Sequence, residues 1–252
     1  MKIAIITGAS AGLGREFVRQ LEGAFPDVEC VWLIARSKDK LEDAAKLLNK
    51  VPAKIVPLDL CEESSFEELS ALLAAEHPEV RLLINNAGCG YLGNVGETDC
   101  RTQTRMVDLN VRALTAVTEL VVPYLVQGGR IINISSIASF CPNPRMTVYS
   151  STKAYVSSFN RGLSVELAPK GIKTTAVCPG PMATDFLDVG GITGNSKTFD
   201  TLPYCDPVKV VKGAYTASRA GRTVYTPKGF YKFYRVIAKI LPQPLMIKFT
   251  KT

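Results

Sequence analysis

Several features of membrane-spanning and secreted proteins are missing from this chain. No apolar run approaches the 18 or so residues that a transmembrane helix needs. Strand-like residues begin at Ile3, which leaves no room for a signal peptide. The seven cysteines are odd in number and widely spaced, with no close pair that would bind zinc. We therefore expect reduced thiols, no metal site and a cytoplasmic location.

Acidic residues are missing from the end of the chain. Residues 207–252 contain ten Lys or Arg and no Asp or Glu, whereas residues 1–206 contain 20 basic and 23 acidic residues. The formal net charge of +7 therefore comes from the C-terminal segment. No helix-turn-helix, zinc-finger or RNA-binding aromatic motif accompanies it, which argues against a nucleic-acid partner.

Apolar β-type runs alternate with helical stretches along most of the chain. With 252 residues, of which 46% are hydrophobic, we expect one domain spanning residues 1–252. The pattern predicts strands at 2–7, 30–35, 54–58, 82–85, 130–134 and 173–177, and helices at 13–24, 38–49, 62–76, 99–127 and 146–168. Strands with few polar interruptions are typical of a parallel sheet covered by helices on both faces. This predicts a doubly wound α/β fold.

Residues 185–206 differ from the rest, being rich in glycine and weakly periodic. A mobile loop with a weak helix is expected there. Ligands of such a sheet bind beyond the carboxyl ends of the strands, so this loop is placed to act as a lid.

A glycine cluster follows the first predicted strand. In Thr7-Gly8-Ala9-Ser10-Ala11-Gly12-Leu13-Gly14 the glycines permit a sharp turn and a close approach of backbone N–H groups to a pyrophosphate. The cluster lies between the first strand and the first helix, which is the context that a dinucleotide site requires.

Arg36 follows the second predicted strand, where an NAD site usually has an acidic residue for the ribose 2′-hydroxyl. Arginine there favours a 2′-phosphate and therefore NADP(H). The alternative is a solvated side chain at the start of the helix that carries Lys38 and Lys40.

Tyr149 and Lys153 form the only Tyr-x-x-x-Lys of the sequence, near the start of a predicted helix. Residues four apart share a helix face, so both side chains can reach one ligand. An ordinary tyrosine has a pKa of about 10, and a nearby cation stabilises the phenolate. The pair could therefore act as an acid and base, although a packed tyrosine beside a solvated lysine has the same spacing.

These motifs together resemble the short-chain dehydrogenase/reductase family, in its compact single-domain branch with a Rossmann-like fold. The resemblance covers residues 2 to about 226. It implies cofactor-binding roles for the glycine motif, for the residues after three further strands, and for the turn before the lid: Gly8, Ser10, Gly12, Leu13, Gly14, Asp59, Leu60, Asn86, Ala87, Gly88, Pro179, Gly180 and Thr184. Ser136, thirteen residues before Tyr149, fits the family spacing better than Ser135 does.

The resemblance also implies a mechanism, in which a hydride passes between the nicotinamide and a carbonyl carbon. Tyr149 would be the acid in reduction and the base in oxidation. Lys153 would lower the pKa of Tyr149 and bind the nicotinamide ribose, and Ser136 would hold the carbonyl oxygen. Asn110 would order a water that supplies protons to Lys153. The alternative is an NADP(H)-sensing or membrane-associated regulatory protein without turnover, although a sensor has no use for a proton relay.

The C-terminal extension, about 227–252, departs from the family pattern, because the common Asp-Gly-Gly ending is absent. Residues 222–225 could form a last strand. After it, a basic amphipathic helix is predicted over 230–241, with one face apolar and the other basic. The apolar residues are Phe230, Phe233, Tyr234, Ile237, Ile240 and Leu241, and the basic ones are Lys228, Lys232, Arg235 and Lys239. This helix could pack over the substrate pocket or another subunit, which we favour, or lie on an anionic membrane.

Apolar surface near the pocket suggests an apolar ketone or alcohol substrate, such as a hydroxysteroid or a long-chain 3-oxoacyl compound. Family members often form dimers or tetramers through two long helices, here 99–127 and 146–168, and we expect a homodimer or homotetramer.

Overall fold

The computed structural model describes residues 1–196, 199 and 201–250. Seven parallel strands form one sheet in the order β3-β2-β1-β4-β5-β6-β7. The strands are β1 (Lys2–Thr7), β2 (Cys30–Ala35), β3 (Ala53–Pro57), β4 (Glu79–Asn85), β5 (Leu125–Ile134), β6 (Lys173–Val177) and β7 (Val224–Tyr225). The predicted doubly wound α/β fold is confirmed.

Helices cover both faces of the sheet. They are α1 (Gly12–Ala24), α2 (Lys38–Ala45), α3 (Ser64–Glu76), α4 (Cys100–Val107), α5 (Leu114–Val121), α6 (Thr147–Leu167), α7 (Asp185–Val189), α8 (Pro207–Arg219), α9 (Gly229–Ile240) and α10 (Gln243–Phe249). One core cluster contains α1, α2 and α8 residues, and the other contains α3, α5 and α6 residues. The apolar runs of the central strands are buried between these two layers, which explains why so few polar residues interrupt them.

The strand order reverses between β1 and β4. In sheets of this kind, the crevice beyond the carboxyl ends of the strands at such a reversal is where ligands bind. The glycine turn follows β1 and the Asn86 segment follows β4, so the topology brings both motifs to this crevice.

The predicted helix 99–127 was wrong in its extent. Regular α-helix gives way to a π-helical segment at Asp108–Ala113, and α5 ends at Val121. Pro123 lies in a 3₁₀ turn, and β5 already begins at Leu125 rather than at residue 130. Proline has no N–H for the helical ladder, which accounts for the early end.

The predicted helix 38–49 was also too long, since α2 ends at Ala45. The N–H groups of Asn49, Lys50 and Val51 donate to the Glu22 carboxylate of α1 instead. A contact between residues this far apart in the chain overrides the local helical preference. The last strand is shorter than predicted, because only Val224–Tyr225 pairs with β6.

The predicted lid segment 185–206 contains α7, and three of its residues, 197, 198 and 200, lie outside the described residues. Its role as a lid stays a prediction, as does the cytoplasmic location. Residues 251 and 252 of the C-terminal extension are likewise outside the description. In the described part of the chain, no helix has the length and apolarity to cross a bilayer.

Candidate active site

A single cleft at the carboxyl ends of the strands brings most of the predicted site residues together. Its volume is about 710 Å³. Sixteen of the eighteen predicted residues line it: Gly8, Ser10, Gly12, Leu13, Arg36, Asp59, Leu60, Asn86, Ala87, Gly88, Ser136, Tyr149, Lys153, Pro179, Gly180 and Thr184. The other two, Gly14 and Asn110, lie behind the wall and hold it in shape.

The glycine turn is shaped to admit a phosphate group. Gly8 and Gly12 have φ values of 65° and 49°, in the left-handed region that favours glycine. A Cβ on Gly14 would overlap the carbonyl oxygen of Gly8 and lie 2.6 Å from Nδ2 of Asn86. The third glycine therefore serves the packing of α1 on the end of the sheet.

The N-terminus of α1 is open toward the cleft. Within the described chain, this helix has no side-chain cap and no acidic residue in its first turn. Free N–H groups and the positive end of the helix dipole make such a terminus an anion site. Thr184 lies across from it, with Cβ 3.7 Å from where a Cβ on Gly12 would stand. The residues present thus fit the pyrophosphate of a dinucleotide.

Thr7 is the first residue of the glycine motif, but the sequence assigned it no role of its own. It connects the two strands that flank the crevice. Its hydroxyl accepts hydrogen bonds from the N–H groups of Asn86 and Ala87, at 3.0 and 3.1 Å. Asn86 in turn donates from Nδ2 to the carbonyl oxygens of Thr7 and Gly8, each at 3.1 Å. Asn86 is therefore a clamp between β1 and β4 as well as a cleft residue.

The far end of the cleft is basic. Arg36 and Lys40 line it together with Asp59 and Arg105. Arg105 of α4 donates from Nη2 to Oδ2 of Asp59 at 3.0 Å. Burial acts to raise the pKa of Asp59, but hydrogen bonds from the Cys61 N–H and Arg105, with the charges of Arg105 and Arg36, hold it below its usual range. Asp59 is therefore ionised, and Arg105 is a contributor that sequence reasoning missed.

Tyr149 and Ser136 face each other at the opposite end. Both side chains are buried, at 8% exposure each. Burial raises the pKa of Tyr149 and Ser136 acts to lower it, while the Ser136 hydroxyl accepts from the N–H of Ala138 at 3.1 Å. Ser135 turns away instead and bonds to the carbonyl oxygen of Lys153 at 2.9 Å and to the hydroxyl of Ser157 at 2.8 Å. The geometry thus favours Ser136 over Ser135 as the partner of Tyr149.

Lys153 lies on the same face of α6 as Tyr149, with Nζ 5.8 Å from the centre of the tyrosine ring. Its ammonium donates to the carbonyl oxygen of Ile134 at 3.0 Å, at the end of β5. Burial lowers the pKa of Lys153 to about 8, an effect that the neighbouring Cys89 and Cys178 thiols oppose. At neutral pH the lysine is therefore mostly charged, with a proton that it releases easily.

The expected lowering of the Tyr149 pKa by Lys153 was wrong for the chain alone. Burial raises the pKa of Tyr149 to about 12, and Ser136 opposes the rise only in part. The lysine donates to Ile134 rather than to the phenol, so it does not offset the loss of solvation. In this state Tyr149 holds its proton firmly.

Asn110 lies in the π-helical segment, 1% exposed. Its Oδ1 accepts from the N–H of Cys89 at 2.9 Å, and its Nδ2 donates to the carbonyl oxygen of Cys89 at 2.8 Å and to Thr152 at 3.0 Å. The side chain clamps the loop after β4 onto α6. Its role in ordering a water stays a prediction.

The remaining wall of the cleft is apolar and comes from four separate parts of the chain. It includes Tyr91, Met146, Phe186, Leu187, Phe199, Phe230, Tyr234 and Met246. Phe186 of α7 packs against Tyr149, with ring centres 5.8 Å apart. Phe230 and Tyr234 belong to the predicted apolar face of the C-terminal helix, whereas the other residues were not predicted, because they share no spacing along the chain.

The C-terminal helix docks on the domain through Tyr231, which is fully buried. Its ring covers Gly180, where a Cβ would overlap it, and its hydroxyl donates to the carbonyl oxygen of Pro203 at 2.9 Å. Only part of the predicted apolar face of this helix contacts the domain. Tyr234 packs near Phe140, with ring centres 5.9 Å apart, whereas Phe233 and Ile240 remain exposed.

Comparison with known proteins agrees with this geometry. The family model described as short chain dehydrogenase matches residues 2–189. The chain belongs to the short-chain dehydrogenase/reductase family, and it is an oxidoreductase of that family.

Relatives and solved structures extend the match over nearly the whole chain. An uncharacterized oxidoreductase of Staphylococcus epidermidis is 28% identical over 211 residues, which is 82% of this chain and 89% of the relative. One from Staphylococcus aureus strain N315 is 32% identical, over 73% of this chain and 79% of the relative. A short-chain dehydrogenase from Sphingobium yanoikuyae in complex with NADPH has a TM-score of 0.80 at 26% identity, covering 96% of this chain and 97% of its own.

A further solved structure is the bulky-bulky ketone specific alcohol dehydrogenase from Comamonas testosteroni. It has a TM-score of 0.77 at 28% identity, covering 98% of this chain and 94% of its own. The match reaches beyond the family model into the C-terminal segment.

Proposed function

We propose that this chain is an NADP(H)-dependent oxidoreductase that interconverts a ketone and a secondary alcohol on an apolar substrate. The observation that carries the proposal is that Tyr149, Ser136 and Lys153 line the same cleft as the glycine turn, with Lys153 Nζ 5.8 Å from the centre of the Tyr149 ring. Bound NADP(H) would supply the hydride.

Each of the three side chains has a role that its surroundings support. Tyr149, with a pKa of about 12, is protonated at neutral pH and acts as the acid in carbonyl reduction. Ser136 holds the carbonyl oxygen against the phenol. Lys153 binds the nicotinamide ribose and replaces the proton of Tyr149, which its pKa of about 8 suits.

The preference for NADP(H) rests on charge at the adenosine end. Arg36 and Lys40 line the cleft there, and the one carboxylate among them, Asp59, is paired with Arg105. An unneutralised positive charge favours a 2′-phosphate over a hydroxyl. The NADPH complex of the Sphingobium relative supports the same preference.

The apolar wall supports a bulky ketone or alcohol as substrate. Aromatic and methionine side chains line the cleft that holds Tyr149, and Phe186 packs against its ring, so a bulky substrate would contact apolar surface. The Comamonas relative is specific for bulky-bulky ketones. A hydroxysteroid or a long-chain 3-oxoacyl compound has these properties.

A homodimer or homotetramer is also proposed, formed through α4, α5 and α6. Val107 of α4 and Tyr155 and Val165 of α6 are exposed, at 44%, 37% and 75%. Burial of such residues in a subunit contact would remove apolar area from water.

The test is the rate of NADPH and NADH oxidation with steroid, 3-oxoacyl and small ketones. Tyr149→Phe should abolish turnover and leave NADPH binding unchanged in a fluorescence titration. Tyr124→Phe, at a half-buried tyrosine outside the cleft lining, is the matched control and should retain activity. A wild type that binds NADPH but reduces no ketone would favour the sensor alternative.

A further inference from the structure

The outward face of helix α9 is apolar and uncovered. Phe233, Val236 and Ile240 are 66%, 52% and 71% exposed. At 100° per residue they lie within about 60° of one another, roughly opposite Tyr231, which packs into the protein. Burial of Tyr231 thus turns these three side chains away from the domain.

The apolar stripe continues into neighbouring residues. Phe230 at its border is 56% exposed, Leu241 just after α9 is 37% exposed, and Leu245 in α10 is 42% exposed. An exposed, contiguous apolar patch of this kind marks a surface that contacts a partner or a membrane.

Exposed lysines accompany the stripe. At 100° per residue Lys232 and Lys239 lie beside it on the Val236 side, whereas Lys228 precedes α9 and Lys248 lies in α10. Lys228, Lys232, Lys239 and Lys248 are all exposed. In the described part of the chain, no carboxylate forms a salt bridge with any of them. Residues 207–252 also contain no acid, so no carboxylate of this segment offsets the charge of these lysines.

We propose that the α9 surface, defined by Phe230, Phe233, Val236, Ile240 and the four lysines, docks on the surface of an anionic lipid bilayer. Apolar side chains would enter the interface and the lysines would meet lipid phosphates, as in other basic amphipathic helices. The twelve residues of α9 span about 18 Å, so the helix lies along the bilayer and does not cross it.

A second copy of the chain suits this surface less well. A two-fold contact would place the same lysines of both copies next to each other, and like charges in contact oppose association. The helices proposed for the subunit contact carry their own exposed apolar residues, so the α9 surface remains free in such a dimer.

Docking on the bilayer does not depend on the proposed reaction. Its consequence for substrate entry does rest on the proposed function. Phe230, Tyr231 and Tyr234 of α9 also line the cleft. An apolar ketone dissolved in the bilayer would therefore meet the cleft without passing through bulk water.

The experiment is flotation of the purified chain with two kinds of vesicle, pure phosphatidylcholine and an equal mixture of phosphatidylcholine and phosphatidylglycerol. Wild type should float with the anionic vesicles only, and high salt should release it. The double variants Phe233→Ser/Ile240→Ser and Lys232→Gln/Lys239→Gln should each weaken binding roughly tenfold or more.

The control is Val95→Ser/Lys170→Gln, which changes an exposed valine and an exposed lysine elsewhere and should bind as wild type does. Thermal unfolding checks that all variants fold. No flotation of the wild type, equal flotation with both vesicles, or undiminished binding by the variants would overturn the proposal. A change of oligomeric state on gel filtration of Phe233→Ser/Ile240→Ser would instead assign this surface to a subunit contact, and would also overturn it.

Discussion

Replacement of Lys153 by methionine is expected to abolish turnover while relieving a cost to stability. The lysine is 5% exposed, and burial lowers its pKa from an ordinary 10.5 to about 8. The folded state therefore disfavours the charged form. Methionine has a similar length and carries no charge to bury, so it removes this penalty.

The magnitude follows from the two pKa values. At about 1.4 kcal/mol per pH unit, charging the buried lysine costs the folded state roughly 3 kcal/mol near neutral pH. Between the folded pKa of about 8 and the ordinary 10.5, the unfolded chain binds more protons than the folded chain does. The stability of the wild type relative to Lys153→Met therefore rises with pH across that window.

Other effects of the substitution do not vary with pH in this range. Loss of the hydrogen bond from Lys153 to Ile134 offsets part of the gain, by about 1–3 kcal/mol at every pH. The raised pKa of Tyr149, about 12, reduces stability only as pH rises above about 10, and it does so in both proteins. The change with pH is therefore a cleaner measure than the stability at any one pH.

The assay is urea denaturation of both proteins at about pH 7 and about pH 9.5. The free energy of unfolding of Lys153→Met minus that of the wild type should fall by roughly 2 kcal/mol from the lower to the higher pH. Lys170→Met, at an exposed lysine, is the matched control and should show no such change. A difference that is the same at both pH values would refute the assignment of a lowered pKa to Lys153.

Two further predictions concern the cofactor end of the cleft. Gly14→Ala should destabilise the fold by about 1–3 kcal/mol and weaken NADPH binding, because its Cβ would overlap Gly8. On the same helix Gly23→Ala meets open space and should stabilise it by roughly 0.5–1 kcal/mol. Urea denaturation compares them, and equal stabilities would contradict the packing argument. Arg36→Asp should weaken NADPH binding at least about tenfold and improve NADH binding, measured by fluorescence titration. An unchanged ratio of the two affinities would show that Arg36 does not contact the 2′-phosphate.

Much of the fold could be predicted because the central strands are local and strongly apolar. The strands 2–7, 30–35 and 173–177 were predicted with the bounds that the structure has. The predicted end of a helix was wrong where a side chain distant in the sequence binds the backbone. Glu22 accepts a hydrogen bond from the N–H of Asn49, which a helix extending to residue 49 would have used, and also from those of Lys50 and Val51.

The motif residues of the candidate site could be predicted from the sequence, but the hydrogen-bond partners that hold them could not. Its motifs are short and follow strands, so topology brings them to one crevice. Thr7 and Arg105 were missed because each acts through a partner far away in the chain, Asn86 and Asp59 respectively. No local spacing marks such pairs.

The sequence by itself determined the family, the doubly wound sheet and the motif residues that border the cleft, because each depends on short motifs or on the alternation of apolar runs. Tertiary structure alone decided which side of α9 faces the protein. It placed Tyr231 against Gly180 and left Phe233 and Ile240 in solvent. It also decided the proton affinities of Tyr149 and Lys153, since these depend on how much water the fold removes from each side chain.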